Sequence, residues 1–548
     1  MNKYKPYFLS IIAAFLFCAS GPQFITADGI PFLALVGSII FWSQWNNQRN
    51  GNQSSVKSKW LITLVYNIAL ALFSFYWIPE TLKSFGPMPL YMGWILFILF
   101  SPFIYFQNLL IAFFLYQIQK KPRLAKLNHP LIIAIVATVF EWIEIRQFPV
   151  NLSSTWIQWG HSMPLSTIFG EGIYSFLLYA LVFYFTSQAN SLSHQRVRWS
   201  IVMILILDFL FSFSFPANEY LISNPKAEQY EKVLNIRIVQ ANIGNFLKVA
   251  AESGEENSVE SIHRDYRDLS FRPHHSKHGP LDLIIWPETA IPDDFNTEML
   301  KNFPSFLPTR MLDLFQSNLH KNADYMIGGY DRGYLSKSMN GIETEYNSVI
   351  HFDASGKLKD VYHKKVLIPF GEGLPLPQWM GREVAKIIPG LSFFSQGHRY
   401  TVFQIKSGWN IISPICYEIL FSSFIRQYLN SATKDDVNLI LNLTNDSWYG
   451  KTAEPFQHLM LAKWRAVEFR TPIIRSTNTG ITSVIDANGK ESKRLFIGEK
   501  NILDLSLGLP KSKTNTPYQD YGRIPLVLLM IAMLVFLKMS DKRKKYSQ

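Results

Sequence analysis

Three kinds of reactive side chain, a carboxylate, an ammonium and a thiol, flank short apolar runs in the second half of the chain. Glu288 and Cys416 each follow an apolar run, whereas Lys364 and Lys365 precede one that ends at Glu372. A cysteine nucleophile needs a base that takes its proton and a cation that stabilises the developing negative charge. The carboxylate, the ammonium and the thiol are therefore the groups that catalysis by a cysteine nucleophile requires.

Each of these residues, taken alone, also has a purely structural interpretation. Cys416 would fit a buried core position, Glu288 the first turn of a helix, and Lys364 with Lys365 a solvated pair.

The chain holds only one other cysteine, Cys18, which excludes a disulfide scaffold and a four-cysteine zinc site.

Short apolar runs that alternate with amphipathic stretches predict a layered α/β domain over residues 217–522. The predicted strands are Ile236–Ala241, Leu281–Trp286, Tyr325–Gly329, Ser348–Phe352, Ile411–Ile415, Asn438–Leu443, Ile473–Ser476 and Thr482–Ile485. The predicted helices are about 256–270, 308–321, 418–430 and 454–470. Asp353–Gly356 is typical of a hairpin turn.

Eight apolar segments predict membrane-spanning helices, because about 20 apolar residues cross the hydrocarbon core. They are roughly 7–24, 30–46, 60–78, 90–117, 131–146, 165–186, 199–216 and 523–539. We expect three parts: a seven-helix transmembrane domain (1–216), an extracytoplasmic domain (217–522), and a final span with a basic tail (523–548).

Basic residues concentrate in alternate connections between these segments. The connections carry Lys3, Lys5, Arg49, Lys57, Lys59, Lys120, Lys121, Arg123, Lys126, Arg196, Arg198, Lys538, Lys542, Arg543, Lys544 and Lys545. With Asp541 they have a net charge of +15, whereas the whole chain has +12. Basic loops stay on the cytoplasmic side, so we expect cytoplasmic termini, and the charge requires no nucleic-acid partner.

Composition excludes other classes of protein. Apolar residues make up 48% of the 548 residues, aromatic residues 15% and charged residues only 17%. A disordered or nucleic-acid-coating chain would be poor in Phe and rich in charge.

Several motifs together resemble the nitrilase superfamily. They are Trp286-Pro-Glu-Thr-Ala290, Tyr362-His-Lys364 with Pro369-Phe-Gly-Glu372, and Cys416-Tyr-Glu418, joined by Val239-Gln-Ala-Asn-Ile243, Asn445-Asp-Ser-Trp-Tyr-Gly450 and Arg475-Ser-Thr-Asn-Thr-Gly-Ile481. With its apolar segments, the chain resembles the apolipoprotein N-acyltransferases, a membrane-bound family of that superfamily. One departure is Val249, where better-known members carry a Trp.

The resemblance implies a fold and a set of site residues. The fold is the αββα sandwich of nitrilases beside an α-helical membrane bundle of eight transmembrane helices. Glu288 falls on the general base, Lys364 on the catalytic lysine and Cys416 on the nucleophile; spacing to Glu372 selects Lys364 over Lys365. The supporting or substrate-binding positions that it implies are Glu372, Tyr417, Glu418 and Trp448.

The resemblance also implies a reaction. A fatty acyl chain passes from a phospholipid, through a thioester on the cysteine, to the α-amino group of the diacylglyceryl-cysteine of an apolipoprotein. No metal or organic cofactor is needed. The enzyme would lie in the bacterial inner membrane with residues 217–522 in the periplasm. The alternatives are a membrane-anchored amidase acting on small C–N substrates and a non-catalytic scaffold.

An acyl donor needs an apolar route, because pulling a chain of about sixteen carbons into water costs roughly 12 kcal/mol at about 0.8 kcal/mol per CH₂. Residues 373–400 and 149–164, the latter with Trp156 and Trp159, are candidates for that route or for ordinary packing. Glu171 and Asp208 lie in apolar segments, where we expect helix pairing or a water-lined crevice.

Overall fold

The computed structural model describes most of the chain. The described residues are 4–23, 26, 28–47, 53–85, 89–143, 148–159, 162–187, 192–212, 232–274, 279–317, 320–334, 343–369, 371–373, 394–405, 408–432, 437–509 and 514–546. They divide into two units, one within 1–83, 88–215 and 516–548 and the other within 84–87 and 216–515.

The first unit is helical. Its helices are α1 (Lys5–Ala19), α2 (Phe32–Asn47), α3 (Gln53–Ser74), α4 (Ile78–Phe85), α5 (Leu90–Ile104), α6 (Phe106–Lys120), α7 (Pro130–Ile143), α8 (Ser166–Phe169), α9 (Gly172–Thr186) and α10 (Leu192–Ser212). Short 3₁₀ turns cover Pro122–Leu127 and Ser154–Trp159. The central helix is α9, whose side chains are buried on nearly every face.

The predicted apolar segments are helical where described, but few reach spanning length. Within the described residues, Val56–Ser74 is long and apolar enough to cross a membrane, and α5 with α6, bent by 42°, would make a second span. Shorter apolar helices cover Lys5–Ala19, Pro130–Ile143, Gly172–Thr186 and Ile524–Ser540. A 15-residue helix is about 22 Å long, so the first three of these helices fall short of the roughly 30 Å hydrocarbon core. The helix that begins at Ile524 continues beyond its apolar part to Tyr546.

The two acidic residues singled out in this unit accept hydrogen bonds between helical segments. Asp208 on α10 accepts from Tyr174 Oη on α9 at 2.7 Å and from the Leu165 N–H at 3.0 Å. Glu171 accepts from Ser154 Oγ at 2.7 Å. The contact of Asp208 with Tyr174 thus pairs two helices, whereas Glu171 joins the start of α9 to the 3₁₀ turn that begins at Ser154.

The second unit contains two sheets. The strands are β1 (Lys232–Gln240), β2 (Leu283–Trp286), β3 (Asp294–Phe295), β4 (Asp324–Tyr334), β5 (Glu343–Phe352), β6 (Leu358–His363), β7 (Val402–Ile405), β8 (Trp409–Ile412), β9 (Leu439–Thr444), β10 (Ile473–Thr477), β11 (Thr482–Ile485), β12 (Glu491–Leu495) and β13 (Asn501–Leu509). The first sheet has the order β13-β1-β2-β4-β5-β6, with β3 beside β4, and the second β12-β11-β10-β9-β8-β7.

Helices connect the parallel strands. They are α11 (Asn245–Glu252), α12 (Glu256–Ser270), α13 (Thr297–Asn302), α14 (Thr309–Gln316), α15 (Ser422–Ser431) and α16 (Glu454–Phe469). Two later helices, α17 (Pro517–Tyr521) and α18 (Ile524–Tyr546), belong to the first unit. Further 3₁₀ turns cover Pro304–Phe306, Cys416–Leu420 and Asp446–Trp448.

Each sheet has three parallel strands at its centre and antiparallel strands at its edges. In the first sheet β1, β2 and β4 are parallel, and in the second β8, β9 and β10 are parallel. The carboxyl ends of parallel strands meet at one edge of a sheet, which is where ligand sites form in α/β domains. Glu288 follows β2 and Cys416 follows β8.

Buried contacts in the second unit hold helices against the first sheet and join the two sheets. Tyr266 of α12 and Phe315 of α14 pack with Trp286 and Tyr325 on one face of the first sheet. Gln240 Oε1 at the end of β1 accepts from Thr482 Oγ1 of the second sheet at 2.6 Å. Helices therefore cover a pair of facing sheets, and the predicted layered α/β domain is confirmed.

All eight predicted strands exist, but β4 continues five residues beyond the predicted end at Gly329, and β5 begins five residues before the predicted start at Ser348. Ile411–Ile415 ends early, at Ile412, and the predicted helix 418–430 is a 3₁₀ turn followed by α15. The sequence prediction missed β3, β6, β7, β12 and β13. β3 has only two residues, and β6 and β12 are edge strands that carry mixed polar and apolar side chains. Most of the 373–400 stretch, residues 374–393, lies outside the described residues.

Candidate active site

Glu288, Glu372 and Cys416 line one cavity of about 250 Å³ in the second unit. Glu288 lies just beyond the end of β2, and Cys416 opens the 3₁₀ turn after β8. The Lys364 ammonium group, fully buried, bonds to both glutamates.

Lys364 bridges two carboxylates. Its Nζ lies 2.7 Å from Glu372 Oε1 and 3.2 Å from Glu288 Oε1. Asn347 Nδ2 donates to the same two oxygens, at 3.0 Å and 2.8 Å. The second oxygen of Glu288 accepts from the Asn445 N–H at 2.7 Å. One cation and three N–H donors thus hold both carboxylates in fixed orientations.

The charges in the site set the protonation states. Burial by itself would lower the pKa of Lys364, but Glu288 and Glu372 outweigh it and raise that pKa above its ordinary value. Burial raises the pKa of the Cys416 thiol well above its ordinary value, and Glu288 adds to the rise while Lys364 opposes it. At neutral pH the lysine is therefore an ammonium, and the resting cysteine is a thiol that needs a base.

Cys416 has a left-handed backbone conformation, with φ of +46°. Such a conformation is uncommon for a residue with a side chain and persists where surrounding contacts hold it. Its carbonyl oxygen accepts from His458 Nε2 at 3.2 Å and from Asn442 Nδ2 at 3.3 Å. Cys416 therefore lies on a tight turn that buried donors hold in place.

The four supporting residues expected from the sequence lie in different surroundings. Glu372 is bonded to Lys364, and Trp448 lines the cavity. Glu418 is buried behind the site, where it accepts from the N–H groups of Lys365 at 2.6 Å, Val366 at 2.9 Å and Ile415 at 2.8 Å. Tyr417 is buried against Phe421.

Three further site residues had weaker signals. Asn445 begins the motif Asn445–Gly450, but it is the backbone N–H of Asn445 that bonds Glu288. Asn347 lies inside β5 and belongs to none of the sequence motifs. Lys248 follows Val239–Ile243 by a few residues; it bonds Thr289 Oγ1 and lines the cavity. Only proximity in the folded chain identifies these residues, since they touch partners far away in sequence.

One buried group of side chains has metal-ligand types. Asp446, Glu454 and His458 place ligand atoms within 4.8 Å of one another. Arg475 Nη2, however, donates to both Asp446 oxygens, at 2.9 Å and 2.8 Å. A guanidinium so close disfavours a second cation, so the group fits a hydrogen-bonded network better than a metal centre.

Comparison with known proteins identifies the family of the chain. Residues 235–504 match the carbon-nitrogen hydrolase family, and residues 13–184 match the apolipoprotein N-acyltransferase N-terminal domain. The apolipoprotein N-acyltransferase of Bdellovibrio bacteriovorus is 30% identical over 502 residues, which cover 88% of this chain and 85% of that protein. That of Vibrio vulnificus is 28% identical over 481 residues and covers 85% of each chain.

Among solved structures, Nit3 of Saccharomyces cerevisiae, a member of branch 10 of the nitrilase superfamily, aligns at 17% identity with a TM-score of 0.33. The alignment covers 55% of this chain and 98% of Nit3. The Bdellovibrio relative, by contrast, is similar along most of both chains. This chain therefore belongs to the apolipoprotein N-acyltransferase family.

Proposed function

We propose that this protein transfers a fatty acyl chain from a phospholipid to the α-amino group of the N-terminal diacylglyceryl-cysteine of apolipoproteins. The observation that carries the proposal is Lys364 bonded between Glu288 and Glu372 at a cavity that Cys416 lines. The full-length similarity to proteins named for this reaction supports it.

The first half of the reaction loads the cysteine. Cys416 Sγ attacks the ester carbonyl of the phospholipid while Glu288 accepts the thiol proton. The Lys364 ammonium stabilises the oxyanion of the tetrahedral intermediate. The ester C–O bond then breaks, Glu288 returns the proton to the leaving oxygen, and a lysophospholipid departs from the thioester.

The second half of the reaction transfers the acyl chain from Cys416 to the apolipoprotein. The free α-amine of the apolipoprotein attacks the thioester carbonyl and gives a proton to Glu288. The C–S bond breaks, and the proton returns to the Cys416 sulfur. The product is an amide, and two substrates that react in turn predict ping-pong kinetics.

The supporting residues have separate parts in this proposal. Glu372 holds Lys364 in place, and Trp448 in the cavity wall contacts substrate. Glu418 ties the Lys364 segment to the Cys416 turn through three backbone N–H groups, and Tyr417 follows the nucleophile. Phe394, which lines the cavity and stacks on Tyr330 with ring centroids 5.8 Å apart, begins an apolar route for the acyl chain.

We further propose that the helical unit forms eight transmembrane helices in the bacterial inner membrane. Exposed apolar side chains on α5, α10 and α18 support a lipid-facing surface, since soluble proteins rarely expose such large patches. These side chains include Ile95, Leu99, Phe100, Leu207, Leu210, Phe211, Leu528, Val535 and Phe536. The alternate basic connections favour cytoplasmic termini and a periplasmic catalytic domain (217–522) between the spans of 1–216 and 523–548.

The alternative is a membrane-anchored amidase that acts on small C–N substrates. It would use the same three side chains, but it has no need for an extensive apolar helical unit. Phospholipid, diacylglyceryl apolipoprotein and the bilayer are the partners that the acyltransferase requires. Only the acyltransferase forms an acyl-enzyme from phospholipid alone.

The test is mass spectrometry of the purified full-length protein after incubation with phospholipid. We expect a fatty-acyl mass on the peptide that contains Cys416, which hydroxylamine removes and which the Cys416→Ala variant lacks. Adding a diacylglyceryl-cysteine peptide should discharge it. A wild-type protein that folds but gains no acyl mass would contradict the proposal.

A further inference from the structure

The peptide group that follows the nucleophile is held from one side by buried donors. The Cys416 carbonyl accepts from His458 Nε2 and Asn442 Nδ2. His458 is 1% exposed, and it lies on α16, away from the cavity lining. Because a carbonyl only accepts, Nε2 of His458 carries the proton in this contact.

Because the Cys416 carbonyl is held by these donors, the direction of the Tyr417 N–H is also fixed. A trans peptide is planar, and its C=O and N–H point in opposite directions. In enzymes with a nucleophile on a strand-to-helix turn, the N–H after the nucleophile helps to hold the oxyanion. By binding the Cys416 carbonyl, His458 can therefore orient the Tyr417 N–H as an oxyanion donor.

The other ring nitrogen of His458 faces a carboxyl group. Glu454 Oε1 lies 3.5 Å from Nδ1, and Glu454 is fully buried. Burial raises the pKa of Glu454 well above its ordinary value, and the Asp446 carboxylate adds to the rise. Burial also lowers the pKa of His458 well below its ordinary value, helped by the Arg475 guanidinium. A neutral Glu454 beside a neutral His458 keeps the ring proton on Nε2.

We propose that His458, oriented by Glu454, is a positioning residue that fixes the Cys416–Tyr417 peptide so that the Tyr417 N–H stabilises the oxyanion together with Lys364. The proposal rests on the acyltransferase function proposed above. His458 and Glu454 touch no reacting atom, so their effect falls on the formation and breakdown of the tetrahedral intermediate.

The experiment separates oxyanion stabilisation from thiol reactivity. The rate of acyl-Cys416 formation from phospholipid is measured by mass spectrometry, and alkylation of Cys416 by iodoacetamide, which needs the sulfur but no oxyanion site, is measured in parallel. We expect His458→Leu to slow acylation about 100-fold, since loss of one oxyanion donor costs 10²- to 10³-fold. Alkylation and the KM for the diacylglyceryl peptide should stay unchanged.

Conservative variants provide the matched controls. His458→Gln retains an N–H donor at the Nε2 position and should recover most of the lost rate, whereas the shorter His458→Asn should not. Glu454→Gln, whose amide can donate to Nδ1, should stay near wild type, and Glu454→Leu should slow acylation. If the Leu variants fail to fold, the Gln and Asn variants of His458 still decide the question.

Four results would overturn the inference: acylation of His458→Leu at the wild-type rate, equal loss of acylation and alkylation, no recovery in His458→Gln, or a bound metal ion that His458→Leu loses. Failure of the proposed function gives a different result, because the wild-type protein itself would then form no acyl-Cys416.

Discussion

At the scale of single residues, two carboxylates share one ammonium and one amide. Attraction between opposite charges is much stronger inside a protein than in water, so Glu288, Glu372 and Lys364 form a rigid unit. Removing the central cation leaves two buried carboxylates that repel each other. The same group therefore supports the site's structure and, in the proposed mechanism, the oxyanion.

Lys364→Met should abolish acyl-enzyme formation and lower the free energy of unfolding by about 3–5 kcal/mol, the usual cost of breaking a buried ion pair. Lys365→Met is the control, because the neighbouring ammonium lies over the Tyr400 ring, 4.3 Å from its centroid, and bonds the His398 carbonyl. Acyl-adduct mass and thermal unfolding in detergent check both variants. If both variants lost acyl-enzyme formation and stability to the same extent, Lys364 would have no role that Lys365 lacks.

The reactivity of Cys416 should depend on pH in a defined direction. Burial and Glu288 raise the pKa of the thiol above its ordinary value, so the thiolate fraction grows about tenfold per pH unit throughout the neutral range. Alkylation by iodoacetamide should rise from pH 7 to 9 without levelling off. A plateau near pH 7 would mean that Lys364 dominates and that the resting group is a thiolate.

At the scale of elements, buried polar contacts fix how strands and helices meet. Arg237 on β1 donates to Asp504 on the antiparallel partner β13 at 2.8 Å and 2.7 Å, and to the Ser270 carbonyl at the end of α12 at 2.8 Å. One fully buried guanidinium thus joins two strands and a helix, which aligns the first sheet from which Glu288 projects.

Arg237→Met should therefore lower the free energy of unfolding by about 3 kcal/mol, the low end of the cost of breaking a buried ion pair, because Asp504 would lose the guanidinium and keep His274 Nδ1, 2.9 Å away, as a partner. Arg237 and His274 outweigh burial and hold the pKa of Asp504 below its ordinary value. The stabilisation is thus present above about pH 4 and is lost as the pH falls through the folded-state pKa.

Thermal unfolding in detergent at several pH values checks this prediction. Arg399→Met, which breaks an exposed pair with Asp360, should cost less than about 1 kcal/mol. The double variant Arg237→Met/Asp504→Leu should recover much of the loss. If the single and double variants were equally destabilised, the pair itself would not be the cause.

At the scale of the whole molecule, the proposed reaction requires a membrane base. The acyl donor is a lipid, and the proposed nucleophile belongs to a polar unit that follows the seven predicted spans of residues 1–216. A periplasmic site fits only if the basic connections stay in the cytosol, as their charges predict. The proposed reaction therefore requires the predicted membrane topology.

Reporter fusions test the sidedness. Alkaline phosphatase, which is active only in the periplasm, should be active when fused after residue 515 and inactive when fused after residue 548. A green fluorescent protein fused at residue 548 should fluoresce in the cytosol. The reverse pattern would exclude the proposed topology. A matched fusion after residue 125, in a basic connection, should behave as the one at residue 548 does.

The sequence alone predicted much of the site, for physical reasons. Glu288 and Cys416 stand at the ends of apolar runs, which local periodicity reveals, and the motif spacing to Glu372 separated Lys364 from Lys365. Central strands are recognisable because both faces are apolar. Edge strands such as β6 and β12 are not, since their pairing depends on a neighbour rather than on their own pattern.

Tertiary structure decided which side chains meet. Lys364 reaches Glu288 across 76 residues, and His458 reaches the Cys416 carbonyl across 42. No local propensity encodes such contacts. Asn347, inside a strand, and His458, inside a helix, look like ordinary core positions until the sheets bring them to the site. The sequence determines which groups are chemically able to react, because that property belongs to each side chain. Their orientation depends on packing between distant segments, which only the folded chain reveals.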